Sequence, residues 1–214
     1  MKKPPYITVE EMRAHPEWVR EDREDGGTRF LGTTTPDLVF KYFTDKNAPV
    51  LECGPDRGMF TKMLLDKGYT RVHAADFYNN LFFPDRRQFD FKIVDMNKET
   101  LPYADKMFAG VTAWGIGEHM ENPYHFCREV HRVMKEDGIF IFALPNVFHI
   151  ISRLLFLKKG TFPRWNESNN HITVFTKDTF KKTYLRYFEL VKTVYTKPGI
   201  QYSFFHIFDR FLPT

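Results

Sequence analysis

Short apolar runs alternate along this chain with segments whose apolar residues recur every three or four positions. The runs predict buried strands, and the recurring positions predict helices with one face toward a core. The predicted strands cover 48–53, 71–75, 89–94, 108–114, 139–144 and 190–195; the predicted helices are 59–67, a segment with Phe126, Val130, Val133 and Met134 on one face, and a segment that starts at Thr176. This alternation predicts an α/β fold, a doubly wound and mostly parallel sheet with helices on both faces.

The pattern divides the chain into an N-terminal arm over 1–34 and one domain over 35–214. A chain of 214 residues is long enough for one domain with a sizeable core and short for two. Within the arm, Thr8 and Glu11 have the spacing of a capping box, which predicts a short helix. The run Thr35-Pro36-Asp37 is typical of a second helix start.

Composition and charge change this picture only slightly. The two cysteines, Cys53 and Cys127, have neither metal-site nor disulfide spacing, which favours a reducing, cytoplasmic location. The longest apolar stretch, 147–157, is interrupted by polar residues and is too short to span a bilayer. The net charge is +4, but the chain from Pro145 onward has 11 Lys and Arg against 4 Asp and Glu. This basic part is either a solvated face or a surface for an acidic acceptor or an anionic membrane.

The first predicted strand runs into a glycine-containing loop, Glu52-Cys53-Gly54-Pro55-Asp56-Arg57-Gly58, and a helix follows at once. Glycine lets the backbone turn tightly and lets a ligand approach without a Cβ in the way. The GxGxxG fingerprint of dinucleotide-binding proteins fails, because Asp56 and Met59 occupy two of its three glycine positions. A phosphate-binding P-loop fails as well, because no Gly-Lys-Ser/Thr follows. The loop fits a different pattern, an acid followed by glycines two apart, with Asp56 in place of the middle glycine.

Two acids follow the next two predicted strands. Asp76 ends the second strand, where its carboxylate can accept two charge-assisted hydrogen bonds from ribose hydroxyls; the alternative is the N-cap of a short helix. Asp95 ends the third strand and precedes Met96; the alternative here is a turn built by Asp-Met-Asn. Ligands of a parallel sheet bind at the carboxyl ends of the strands, so we expect both acids to lie beside the glycine loop.

Three further motifs follow in order: Leu101-Pro102-Tyr103-Ala104-Asp105, then Glu118-His119-Met120-Glu121-Asn122-Pro123, then the turn Lys135-Glu136-Asp137-Gly138. Together with the acid-and-glycine loop they resemble the class I S-adenosylmethionine (SAM)-dependent methyltransferases, in particular the small-molecule branch with an LPF-x-D … EH-x-x-N-P pattern. The resemblance covers roughly residues 35–195 and implies a Rossmann-like fold.

The resemblance implies an enzyme that transfers a methyl group from SAM to an O or N nucleophile of a small molecule, a sugar or a lipid-linked glycan. S-adenosylhomocysteine (SAH) is then the second product, and no metal is expected. Asp76 is expected on the ribose, Asp95 and Met96 on the adenine, and Glu52 behind the loop or on the cofactor's amino group. The full set of residues expected to bind the cofactor is Glu52, Gly54, Asp56, Gly58, Asp76, Phe77, Asp95, Met96 and Trp114.

Two histidines are candidate catalytic residues. His119 follows the fourth predicted strand, and His171 lies in an insertion over 145–175, where the resemblance places the acceptor. Either imidazole can act as a base for a hydroxyl acceptor, since it titrates near neutral pH. The alternatives are a hydrogen-bonded structural role for His119 and an ordinary loop histidine for His171.

The aromatic and basic segment 147–171, with the tail from Phe204, is expected to cover the acceptor; the alternative is core packing or a dimer contact. The expected partners are a small-molecule, sugar or lipid-linked acceptor, with a peripheral membrane contact and a homodimer as further expectations. No nucleic-acid substrate is expected, because Trp114-Gly115-Ile116-Gly117 stands where an Asn/Asp-Pro-Pro-aromatic tetrad would hold a flipped base.

Three features depart from the resemblance. Asp56 puts a carboxylate where the backbone normally closes on the cofactor, and a short helix over 77–84 ends in proline. The chain also ends at Thr214, where the family adds a seventh, antiparallel strand, so we expect that strand to be missing or the sheet edge to be finished in another way. These features leave two alternatives: a degenerate methyltransferase-fold protein that binds SAM or SAH as a regulatory or scaffold subunit, and a nicotinamide-dependent oxidoreductase.

Overall fold

The computed structural model describes residues 6–18, 34–81, 89–167, 169–195 and 203–210, with the backbone alone for 34–35 and 203–210. Within these residues seven strands form one sheet in the order β3-β2-β1-β4-β5-β7-β6. The strands are β1 (Val50–Cys53), β2 (Val72–Asp76), β3 (Phe89–Ile93), β4 (Phe108–Trp114), β5 (Met134–Pro145), β6 (Phe188–Tyr195) and β7 (Ser203–Arg210). The helices are α1 (Val9–Ala14), α2 (Thr34–Tyr42), α3 (Met59–Asp66), α4 (Pro123–Val133), α5 (Ile150–Lys159) and α6 (Lys177–Thr183), with short 3-10 turns at Pro16–Trp18 and Gly117–His119.

The sheet is parallel from β3 through β5. β1 pairs in parallel with both β2 and β4, and β3 and β5 extend the two sides. The strand order therefore reverses between β1 and β4, which opens a crevice at their carboxyl ends. The predicted α/β, doubly wound, Rossmann-like fold is confirmed.

The seventh strand is present. β7 lies between β5 and β6 and pairs antiparallel with both. The expectation that this strand is missing is therefore wrong. Residues 203–210, part of the tail that was expected to cover the acceptor, form this interior strand.

Two cores flank the sheet because side chains alternate between its faces along each strand. On one face, Leu51 and Cys53 of β1 belong to the same core as Phe126 of α4 and Tyr184, the residue directly after α6. On the other face, Val50 joins side chains of α2 and α3, among them Val39, Phe60 and Leu64. Both cores support β1 and β4, and so hold the crevice between them in place.

The main differences from the sequence prediction lie at the start of β5 and after β2. Met134, predicted on the inner face of a helix, caps α4 and begins β5. The residues expected as a turn over 135–138 lie inside β5, where a register shift against β4 between Phe108 and Gly110 accommodates them. Residues 77–81 form no helix, and the rest of the predicted helix over 77–84 lies outside the described residues.

The described part of the N-terminal arm lies across the crevice. α1 begins with the predicted capping box of Thr8 and Glu11. The Arg13 Nε atom donates to the Phe77 carbonyl oxygen at 3.3 Å, and Ile7 exchanges two backbone-to-amide hydrogen bonds with Asn170. Among the described residues, no helix combines the length and apolar character that crossing a membrane requires.

Candidate functional site

The loop between β1 and α3 has three residues with left-handed backbone angles: Gly54 (φ 69°), Asp56 (φ 50°) and Gly58 (φ 78°). This conformation is ordinary for glycine and tolerated by aspartate, whose short polar side chain fits it better than most. Asp56 therefore keeps the backbone course that a middle glycine would give. Its side chain is exposed.

Gly54 is also required by its neighbour. A Cβ atom built on Gly54 would lie 2.0 Å from Cδ1 of Ile116, closer than any real carbon contact. Ile116 follows β4, on the other side of the point where strand order reverses. The Gly54 backbone and the Ile116 side chain thus close the floor of the crevice together.

Asp76 lies at the end of β2 with its carboxylate against the loop. It accepts hydrogen bonds from the backbone N–H of Phe77 at 2.8 Å and of Asp56 at 3.3 Å. Burial raises the pKa of this carboxyl to about 7, against the lowering effect of these two bonds. A carboxylate has about four acceptor positions, so two remain for ribose hydroxyls.

Glu52 lies in β1 and is 1% exposed. Its Oε2 atom accepts a hydrogen bond from the Thr61 hydroxyl in α3, so the pair bridges the strand and the helix that flank the loop. Burial raises the pKa of Glu52 to about 8, and the nearby Asp76 raises it further while Thr61 opposes the shift. Glu52 was expected either to support the loop or to bind the amino group of the cofactor. The hydrogen bond from Thr61 fits a support for the loop.

Asp95 makes the contacts of a turn built by Asp-Met-Asn, which was the alternative to a contact with adenine. Its Oδ1 accepts from the backbone N–H of Asn97 at 3.0 Å, and Lys98 Nζ lies 3.7 Å from Oδ2. The next residue, Met96, is buried in the core on the α4 face. Both residues follow β3 at the expected edge of the sheet, where an adenine contact remains a prediction.

The remaining two predicted cofactor residues differ in position. The ring of Trp114 is buried and packs edge-on against Phe60 of α3, with ring centroids 5.1 Å apart. It belongs to the core on the α2 and α3 face of the sheet, and its contact with the cofactor stays a prediction. Phe77 is half-buried directly after Asp76, at the rim where Arg13 of the arm reaches its carbonyl.

The fold brings the two candidate catalytic histidines together. The rings of His119 and His171 are nearly perpendicular, with centroids 4.6 Å apart. His119 Nδ1 lies 3.0 Å from the Asn170 carbonyl oxygen. The Trp165 ring is 5.4 Å from His171 on its other side. One histidine follows β4 and the other belongs to the insertion after β5, so their contact comes from the tertiary structure.

Glu118 belongs to this group, and the sequence reasoning did not single it out. Its side chain is fully buried, and its carboxylate, His119 and His171 place one ligand-type atom each within 4.8 Å of one another. Burial raises the pKa of Glu118 to about 8. Neither carboxylate oxygen has a hydrogen-bond partner among the residues that the structure describes. The sequence signal that could have pointed to Glu118 is its position next to His119, shortly after the buried strand β4.

Comparison with known proteins agrees with this geometry. A family model described as a methyltransferase domain matches residues 22–187. An uncharacterised protein of Methanocaldococcus jannaschii is 37% identical over 73 residues, a match that covers 34% of this chain and only 29% of that protein.

Solved structures show the same fold. A protein of Pyrococcus horikoshii superposes with a TM-score of 0.66 at 20% identity, over 94% of this chain and 98% of that one. A SAM-dependent methyltransferase of Methanosarcina mazei gives a TM-score of 0.62 at 18% identity, over 82% and 98% of the two chains. The family model covers most of the chain, and the glycine loop and Asp76 lie where the fold binds its ligands. The chain therefore belongs to the methyltransferase-domain family.

Proposed function

We propose that this protein binds SAM in the crevice between β1 and β4 and transfers its methyl group to an O or N nucleophile of a small molecule, a sugar or a lipid-linked glycan. The observation that carries the cofactor part is the position of Asp76, buried at the end of β2 and hydrogen-bonded to the loop at Asp56. The ribose hydroxyls would take its two remaining acceptor positions. SAM is already activated, so the protein mainly supplies alignment and a dry site.

The acceptor side is the insertion that carries His171. A chain of aromatic contacts joins the surface of α5 to the histidine pair: Phe156 stacks on Phe162 at 4.8 Å, Phe162 meets Trp165 at 5.9 Å, and Trp165 meets His171 at 5.4 Å. An acceptor with an apolar part fits along this chain, and its nucleophile then lies near His119 and His171.

Among the acceptor classes, α5 favours a lipid-attached one. Its side chains Ile150, Leu154 and Leu157 are 61%, 57% and 81% exposed. The helix ends in Lys158 and Lys159. Helices that lie on an anionic membrane surface typically combine exposed apolar residues with neighbouring cationic residues. A sugar on a membrane lipid would then reach the site from the side on which α5 lies.

For a hydroxyl acceptor, the histidine pair supplies the candidate base. The Asn170 carbonyl oxygen can only accept, so the proton of this hydrogen bond belongs to His119 Nδ1. His171 lies against this ring. One of the two can take the proton of the acceptor as its oxygen attacks the methyl carbon.

Two measurements test the proposal. Calorimetry should show SAH binding to the purified protein, and NADH should not bind. Incubation with isotopically methyl-labelled SAM and separated lipid and aqueous cell extracts should transfer label to one fraction, with the lipid fraction expected. Absence of SAH binding would contradict the proposal. SAH binding without transfer to either fraction would support the alternative, a regulatory or scaffold subunit of the same fold.

A further inference from the structure

Glu118, His119 and His171 form a cluster that contains a buried carboxyl group. Glu118 is fully buried, and neither of its carboxylate oxygens accepts a hydrogen bond from any described residue. A buried carboxylate without partners costs several kcal/mol, so such groups are paired, protonated or bound to a metal. The charge of Arg164 acts on Glu118, but the structure records no hydrogen bond between them. Each of the two imidazoles places a nitrogen, a common metal ligand, within 4.8 Å of a carboxylate oxygen of Glu118.

The histidine beside Glu118 is oriented as metal-binding histidines are. Its Nδ1–H donates to the Asn170 carbonyl oxygen at 3.0 Å, which fixes the orientation of the ring. Metal-bound imidazoles usually donate their other N–H to a carbonyl or carboxylate in this way. Asn170 is in turn held by the two hydrogen bonds to Ile7. The His119 ring therefore has an outer support that reaches into the N-terminal arm.

Backbone hydrogen bonds hold the third ligand in place. The N–H groups of Ile172 and Thr173 both donate to the carbonyl oxygen of Glu118, at 2.9 and 3.0 Å. The Thr173 hydroxyl donates to the Met120 carbonyl. The loop that carries His171 is thus attached to the segment that carries the other two ligands, so the three groups form a preorganised set.

We propose that Glu118, His119 and His171 bind one divalent transition-metal cation of the zinc class. Two imidazoles and one carboxylate are a common ligand set of metal sites that keep a position open for water or substrate. Mg²⁺ and Ca²⁺ prefer sites built from oxygen, so they are not the expected ions. The ligand atoms lie within 4.8 Å of one another; two ligands of one zinc ion stand at most about 4.2 Å apart, given bonds of about 2.1 Å. Binding would therefore require side-chain rotations that bring these atoms closer together. This proposal departs from the expectation that the protein uses no metal.

The role of the ion rests on the proposed function, although the binding site itself does not. An acceptor hydroxyl at the open position would lose its proton to solvent water more readily, since the cation stabilises the alkoxide. The oxygen would then attack the methyl carbon of SAM, the new O–C bond forming as the S–C bond breaks and the sulfur leaves as the thioether of SAH. His119 and His171 would act in this case as ligands and not as bases.

Metal binding can be measured without any acceptor. We expect untagged, metal-free protein to bind one Zn²⁺ per chain by calorimetry, and Co²⁺ to give the visible absorption of a site with nitrogen and oxygen ligands. Glu118→Gln should weaken Zn²⁺ binding by more than about 100-fold, since losing a ligand costs more than the 10- to 100-fold that losing an outer hydrogen-bond partner costs. His171→Ala should have the same effect. We expect this variant to fold, because the loop is attached through the backbone hydrogen bonds of Ile172 and Thr173 to Glu118.

Two controls match these changes. Glu52→Gln makes the same substitution at another buried carboxylate. His131→Ala removes an imidazole of α4 that packs against Tyr187 and Phe188. Both variants should keep wild-type Zn²⁺ affinity. As a second readout, Co²⁺ should quench the fluorescence of Trp165, which adjoins His171, and Trp165→Phe should remove that quenching.

The outcomes separate this site from the proposed function. Wild-type Zn²⁺ affinity in either Glu118→Gln or His171→Ala, or no Zn²⁺ binding to the wild-type protein, would overturn the metal site. SAH binding measured on the same samples tests the methyltransferase proposal by itself. If the wild-type protein binds SAH but not Zn²⁺, the proposed function stands and the metal site is overturned. If the wild-type protein binds Zn²⁺ and both variants lose this binding, the metal site is supported, whether or not the protein binds SAH.

Discussion

Ile116 closes over Gly54 so tightly that a Cβ on the glycine would lie 2.0 Å from Ile116 Cδ1. The glycine therefore has two separate reasons to be there: its left-handed φ of 69° and the contact with its neighbour. The two reasons can be separated by mutation.

Gly54→Val, and the smaller Gly54→Ala, should abolish SAH binding while the protein still folds, because the new side chain displaces Ile116 and narrows the crevice. Gly54→Ala combined with Ile116→Ala should recover part of the affinity, since only the backbone strain remains. Gly68→Ala is the matched control: Gly68 also has a positive φ but has nothing within 4 Å of the Cβ position, so SAH affinity should not change. SAH binding of wild-type strength in Gly54→Val would remove the loop from the cofactor site.

Asp76→Ala should weaken SAH binding by about 1.5–3 kcal/mol, which is about 10- to 150-fold, because buried ribose hydroxyls are left without an acceptor. Calorimetry measures the change. The control is Asp66→Ala, an exposed acid of α3 that pairs with Lys62. Equal affinities of Asp76→Ala and wild type would show that the carboxylate serves only the backbone of the loop.

Glu52 should make the stability of the cofactor-free protein depend on pH. Its pKa is about 8 in the folded protein and 4.5 in the unfolded chain. Between these values the folded state holds more protons, so the free energy of unfolding falls as the pH rises from about 5 to 8. Glu52→Gln cannot ionise and should reduce this slope by up to about 1.4 kcal/mol per pH unit. Denaturant unfolding across that pH range tests this, with Glu189→Gln on the exposed part of β6 as the control; an unchanged slope in Glu52→Gln would contradict the prediction.

His171→Ala should lower kcat for a hydroxyl acceptor by about 100-fold or more and leave SAH affinity nearly unchanged. The physical reason is that the imidazole acts on the acceptor side, next to His119, and not on the cofactor loop. The control, His125→Ala, removes a histidine of α4 whose Nε2 faces the Glu99 carbonyl. A kcat within a factor of a few of wild type would rule out His171 both as a base and as a needed ligand.

Leu157→Glu should lower binding to vesicles by at least 10-fold, because a leucine buried in the lipid interface contributes about 1.5–3 kcal/mol. The assay is sedimentation with phosphatidylcholine vesicles with and without phosphatidylserine, and binding should be stronger with the anionic lipid. Leu190→Glu, at an exposed leucine of β6, makes the same change on another element and should bind as wild type does. Wild-type binding by Leu157→Glu, or no binding by wild type, would remove the argument for a lipid-attached acceptor.

The sequence by itself determined the fold class and most of the residues of the proposed cofactor site. Hydrophobic periodicity is a local property, so β4 was predicted with its observed bounds and α3 within one residue of its end. The glycine loop and Asp76 could be found because chemistry at the end of a strand is contiguous in sequence, and parallel strands align those ends on one edge of the sheet.

The acceptor side needed the tertiary structure. Whether the residues of 203–210 form a cover or a strand depends on what lies beside them, and β5 and β6 are distant in sequence. The same holds for His119 and His171, whose contact requires the insertion to fold back onto the end of β4. It also holds for Glu118, because its carboxylate loses its water partners only when the folded protein buries it. Local patterns report which face of an element is apolar; they do not report which distant groups will meet there, because that depends on how the loops pack after the sheet has formed.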